Sequence, residues 1–118
     1  MTPEEVVRAE LAAWHRLDLD EILSYFAPDA VWENVPIGAV SGRDEIRKEA
    51  ERWLGQTGSF DAEIVNVAVA GNVVLTERVD HTEFQGAQYH ARVMGAFEID
   101  GDKITAWRDY FDMPNDDD

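Results

Sequence analysis

Apolar residues recur mainly at helical spacing up to about residue 55 and at every second position beyond it, so helices come first and strands follow. Thr2, Pro3 and Glu5 form an N-cap, a first-turn proline and a capping box, and Val6, Val7, Leu11 and Trp14 follow on one stripe. A helix over about residues 3–16 is predicted. After Asp18, the apolar positions Ile22, Leu23, Tyr25 and Phe26 predict a second helix ending near Ala27, because Pro28 disfavours helix in the residue before it. Ala30 to Val35 alternates as a strand, with Trp32 and Asn34 on one face and Val31, Glu33 and Val35 on the other. Gly42-Arg43-Asp44 opens a third helix carrying Ile46, Ala50, Trp53 and Leu54 on one side, ending near Gly55 to Gly58.

Four long alternating segments come next: Phe60 to Ala70, Val73 to Phe84, Gln88 to Ile99 and Lys103 to Phe111. Gly71-Asn72, Gln85-Gly86 and Asp100-Gly101 separate them as hairpin turns. This order defines an α+β domain over residues 1–112 whose curved sheet wraps over the helices.

Two of these strands put ionised side chains on the face that alternation assigns to the interior. Val74, Thr76, Arg78 and Asp80 share one face, and on the last strand Asp109 lies between Trp107 and Phe111. A carboxylate flanked by two aromatics is costly to bury unless something pairs with it, and Arg78 beside Asp80 is the available partner. Strands joined by hairpins lie close together, so the three groups can meet in one pocket. Two carboxylates about 4 Å apart repel by roughly 4 kcal/mol at an effective dielectric near 20. Such a pair holds one shared proton at neutral pH and offers a general acid beside a general base. The competing reading is a surface Arg78–Asp80 ion pair with an unrelated acid on another strand.

Composition narrows the partners. Ten Lys and Arg against 25 Asp and Glu give a formal charge of -15, which repels phosphate backbones and anionic membranes, so neither nucleic acid nor membrane is an expected partner. Part of the excess lies in Asn115 to Asp118, and residues 113–118 read as a solvated acidic tail. The absence of cysteine removes disulfides, thiolate catalysis and Cys-containing zinc sites. The N-terminal residues lack the basic and apolar regions of a secretion signal, and no apolar run approaches the ~20 residues of a membrane span, so a cytoplasmic location is expected.

His15 reads as a helix-end residue, His81 points away from Asp80, and His90 shares a face with Arg92, so no metal site is expected. Trp14 and Trp53 lie on apolar helical stripes and read as core, Trp53 also as a pocket wall. Ala91, Val93, Gly95 and Phe97 form the inward row of their strand, apolar enough for a hydrocarbon-like ligand. Thr82, Trp107 and Phe111 complete the expected substrate-binding set. The opposite face, with Glu77, Val79, His81, Arg108 and Tyr110, suits association with a second subunit.

Thr76-Glu77-Arg78-Val79-Asp80 and Ile104-Thr105-Ala106-Trp107-Arg108-Asp109-Tyr110-Phe111-Asp112 resemble the signatures of limonene-1,2-epoxide hydrolases. Related segments of that family match Val31-Trp32-Glu33-Asn34-Val35-Pro36, Ser41-Gly42-Arg43-Asp44 and Gly95-Ala96-Phe97-Glu98, so the resemblance spans roughly residues 4–112. It implies a cone-shaped, strongly curved mixed sheet wrapped around N-terminal helices, the SnoaL-like or cystatin-like α+β roll of the nuclear-transport-factor-2-like superfamily, which commonly forms homodimers. It further implies hydrolysis of a small or medium apolar epoxide to a vicinal diol in one step, with no cofactor, metal or covalent intermediate. In that scheme Asp109 takes a proton from water, Asp80 protonates the epoxide oxygen, Arg78 bridges both, and Asn34 helps hold the water. The nucleophile elbow of covalent hydrolases, Gly-x-Ser-x-Gly, does not occur.

The chain departs from the family at Trp32, where a tyrosine hydroxyl contacts the water; indole donates but cannot accept, leaving Asn34 and Asp109 with at most one further donor. The family's segment before the first helix has no counterpart, so a more open pocket is expected. Two other readings stay open: a SnoaL-like cyclase or ketosteroid-isomerase-like enzyme using Asp109 as base, and a non-catalytic module that holds an apolar ligand.

Overall fold

The N-cap at Thr2 forms as the sequence dictates: its hydroxyl accepts from the Glu5 backbone N–H at 3.2 Å, and the Glu5 carboxylate accepts from the Thr2 N–H at 2.7 Å. In the computed structural model, which describes residues 1–113, helix α1 then runs over Pro3–His15. Asp18 caps α2 (Leu19–Ser24), and α3 (Arg43–Leu54) runs between Gly42 and Gly55. The strands are β1 (Phe26–Asn34), β2 (Gly38–Ser41), β3 (Thr57–Ala70), β4 (Val73–Phe84), β5 (Ala87–Asp100) and β6 (Lys103–Tyr110).

They form one open, mixed, six-stranded sheet in the order β2-β1-β6-β5-β4-β3. Among the described residues only β1 and β6 pair in parallel. This is the α+β class expected, with helices packed on one face of a long-stranded sheet. The interior is built from Val6, Val7 and Leu11 of α1, Ile22 of α2, Ile46 of α3, and Phe26, Phe97, Ile99 and Ile104 from the strands, all buried.

Two elements differ from expectation. Helix α2 stops at Ser24, and Phe26 and Ala27, placed by periodicity at a helix end, open β1 and are buried. Pro28 lies where the β1–β6 register shifts between Phe26 and Val31, an irregularity that tolerates a missing backbone donor inside a strand. Strand β2 was not predicted; it is four residues long and mostly exposed at the sheet edge, so no alternation marks it. Of the expected tail, 113–118, only the exposed Met113 falls within the described residues; the rest lies outside them.

The outer face of the sheet exposes Val65, Leu75, Met94 and Tyr110. On it His81 and His90, opposite each other in the β4–β5 ladder, bring their Nδ1 atoms to 2.7 Å, and His81 Nε2 lies 2.9 Å from a Glu63 carboxylate oxygen. Among the described residues no helix is long and apolar enough to cross a membrane.

One buried acid went unread in the sequence. Glu10 sits on the same stripe of α1 as Val6 and Trp14, is completely buried, and makes no hydrogen bond through either carboxylate oxygen. Burial holds its carboxyl well above the usual range. The unfolded chain ionises Glu10 near its ordinary pKa and the native chain resists, so stability falls as pH rises from the ordinary carboxylate range toward the native value. Removing the charge should therefore stabilise the chain at pH 8 and change little near pH 4. Thermal melts of Glu10→Gln across that range check this; a gap that does not widen with pH contradicts it.

Candidate active site

Strand register stacks the chemistry-bearing residues into rows on the concave face, because residues directly opposite one another point the same way. Thr76 pairs with Gly95, Gly95 with Asp109, and Asp109 with Asn34 across four strands. One step along β4, Arg78 lies opposite Val93, and one step further Asp80 lies opposite Ala91.

Arg78 is fully buried, and each of its five N–H groups meets an acceptor. Nε donates to Asp80 Oδ1 at 3.1 Å and Nη2 to Asp80 Oδ2 at 2.9 Å. Nη2 also donates to Asp109 Oδ2 at 2.9 Å, while Nη1 donates to Asp109 Oδ1 and Thr76 Oγ1, both at 3.1 Å. The guanidinium plane is thus gripped bidentately from two sides. Burial alone would lower the Arg78 pKa, but Asp109 and Asp80 outweigh it and raise it.

Asp109 also accepts the Trp107 indole N–H on Oδ1 at 2.7 Å, so both lone pairs of Oδ1 are used and Oδ2 keeps one free. Burial pushes the Asp109 carboxyl above its ordinary value; Arg78 and the Trp107 N–H pull against that, and the Asp80 charge adds to it. The two acids sit at different depths, with side chains 14% exposed at Asp80 and 9% at Asp109.

Gly95 makes this packing possible. A Cβ there would lie 2.5 Å from Arg78 Nη1 and 2.8 Å from both Asp109 Oδ1 and Thr76 Oγ1. The strand therefore needs a residue without a side chain where the ion pair crosses over it.

The clamp opens into a cavity of about 160 Å³ lined by Asn34, Arg78, Asp80 and Asp109 among mainly apolar side chains. Trp53, Thr82, Ala91, Val93, Trp107 and Phe111 of the substrate-binding set line it, and so does Trp32. Phe97 does not: it is completely buried and stacks on Trp107 at 4.9 Å between ring centroids, so it supports the wall from behind. Trp14, Thr57 and Phe60, not anticipated as wall residues, complete the lining. Trp14 carried no distinguishing signal, since a helical stripe looks the same whether it meets core or cavity. The indole N–H of Trp32 is buried without a partner, so the extra donor that position offered is closed off from water. Among the described residues, no group of three or more His, Asp or Glu is arranged to hold a metal ion.

An open curved sheet cupping helices, with its polar groups on the concave face, defines the SnoaL-like, nuclear-transport-factor-2-like class. A putative SnoaL-like polyketide cyclase from Shewanella denitrificans OS-217 shares this fold at a TM-score of 0.86 and 16% identity, over 93% of this chain and 90% of that one. Within the class the chain belongs to the limonene-1,2-epoxide hydrolase family, whose catalytic domain matches residues 1–115. It is similar to epoxide hydrolase EphG of Mycobacterium tuberculosis (strain ATCC 25618 / H37Rv), 35% identical over 107 residues, covering 91% of this chain and 71% of EphG. A solved structure of an M. tuberculosis LEH-like epoxide hydrolase superposes with a TM-score of 0.83 at 33% identity, over 92% of this chain and 80% of that chain.

Substituting Gly95→Ala should push the guanidinium off Asp109 and cost about 1–3 kcal/mol of stability, as overpacking does. Chemical denaturation measures the loss; a variant as stable as the parent would show that the strand yields without disturbing the clamp.

Proposed function

We propose that this chain hydrolyses a small or medium apolar epoxide to a vicinal diol in one step, by general acid and base catalysis and without a cofactor. The observation carrying this reading is a single buried guanidinium binding two carboxylates at once beside an apolar cavity. The free lone pair of Asp109 Oδ2 takes a proton from water while the water oxygen attacks a ring carbon. The C–O bond breaks as Asp80, the more accessible acid, delivers its proton to the departing oxygen, so no free alkoxide forms. Asn34, beside Asp109 in the sheet, holds the water. Arg78 fixes both acids and passes the change in charge between them. The proton gained at Asp109 and lost at Asp80 is exchanged with solvent to reset the site.

A cyclase or isomerase would also use a base at Asp109, but it has less need of a second acid bound to the same arginine. Oxygen-18 from labelled water should appear in the diol, and Asp109→Asn and Asp80→Asn should each lower kcat/KM by about 10²–10⁴. Full turnover in either variant, or no label in the product, ends the assignment.

The pH profile supplies a further check. The base works only when ionised, and burial raises the Asp109 pKa, so the acid limb of kcat/KM should fall at a pH above the ordinary carboxylate pKa of about 3.9. A limb at or below that value contradicts a buried base.

We also propose a homodimer formed through the outer sheet face, where Val65, Met94 and Tyr110 are exposed. Light scattering should give twice the 13.3 kDa of one chain; a mass that stays monomeric at high concentration overturns this.

A further inference from the structure

The chain has four tryptophans, and all four line the one cavity that holds the acids. They come from separate elements: Trp14 from α1, Trp32 from β1, Trp53 from α3 and Trp107 from β6. A core alone does not explain that convergence, since Trp53 is half-buried at the rim, where it meets Phe84 at 5.3 Å. Deeper in, Trp32 lies between Trp14, at 5.6 Å, and Trp107, at 5.8 Å. The N–H groups of Trp14 and Trp32 are buried without partners, and that of Trp107 is bound to Asp109. What these three indoles offer the cavity is ring surface.

Size and charge point the same way. A cavity of about 160 Å³ compares with the roughly 150 Å³ apolar cavity that accepts benzene in another protein. Aromatic faces carry partial negative charge and attract a cation. Positive charge develops on a ring carbon as an epoxide opens with its oxygen being protonated, most of all where that carbon is attached to an arene.

We propose that the substrate is a single-ring aryl epoxide, the arene seated among the tryptophans and its benzylic carbon opened against their faces. This rests on the hydrolytic reading above and extends it to a substrate class. The benzylic C–O bond breaks with its electron pair passing to oxygen, which takes the Asp80 proton. The water oxygen bonds to the benzylic carbon as its proton goes to Asp109. Epoxide and water become one diol, with no other reactant.

The test compares phenyloxirane with its saturated analogue cyclohexyloxirane, similar in shape but without a π system, in oxygen-18 water with uncatalysed hydrolysis subtracted. Phenyloxirane should be favoured about tenfold or more in kcat/KM, with the label on the benzylic carbon and faster turnover for a para-methyl than a para-nitro ring. Trp32→Phe should keep that preference, and Trp32→Leu should lose it, the ratio of kcat/KM between the two oxiranes falling toward one. Trp53→Leu, at a half-buried position, should weaken the same preference and serves if Trp32→Leu does not fold. Labelled diol formed equally well from both oxiranes, or a preference untouched by both leucine variants, overturns the aryl assignment and leaves hydrolysis standing. No labelled diol from either substrate or from alkyl epoxides overturns both.

Discussion

A guanidinium with all five donors committed is the constraint on which the rest of the site depends. Arg78 has no exposed surface, so it must be charged, planar and fully bonded at once. The arrangement that meets these demands uses two carboxylates and one hydroxyl, supplied by β4 and β6. Removing one partner would leave a buried charge uncompensated, which in comparable settings costs about 3–5 kcal/mol. Stability and chemistry are thus coupled: the same contacts that justify burying Arg78 hold the two acids a fixed distance apart.

Much of this was legible in the sequence because strand alternation is a strict period. Once Val74, Thr76, Arg78 and Asp80 are assigned to one face, the surroundings of Arg78 follow from which strands are neighbours, and the hairpin turns supply that order. Long strands with Gly-containing turns were read within a few residues of their ends. Helix periodicity is more forgiving: Phe26 and Ala27 fit a helical stripe as well as a strand, and the register shift around Pro28 settled them into β1. Strand β2 had too few residues and too little buried surface to leave a pattern. Phe97 was assigned to the correct face but not the correct depth, because alternation reports which way a side chain points and not what lies above it.

Glu10 and Trp14 illustrate the same limit from the helix side. Both lie on the inward stripe of α1, yet one is a sealed acid and the other a cavity wall. Which outcome holds depends on how far the sheet curves away from the helix at each turn, a property of the whole fold. Trp32 belongs to this group too. Its ring reaches the cavity while its polar atom is sealed behind it.

Strand β6, made by the final part of the described chain, lies in the interior of the sheet between β1 and β5. During synthesis every other strand therefore emerges from the ribosome while the place between β1 and β5 is still vacant. Until β6 is in place, Arg78 lacks the two acceptors that Asp109 supplies and both flanking strands carry an open edge. Insertion of β6 therefore closes both edges and completes the acceptor set of the arginine in a single step.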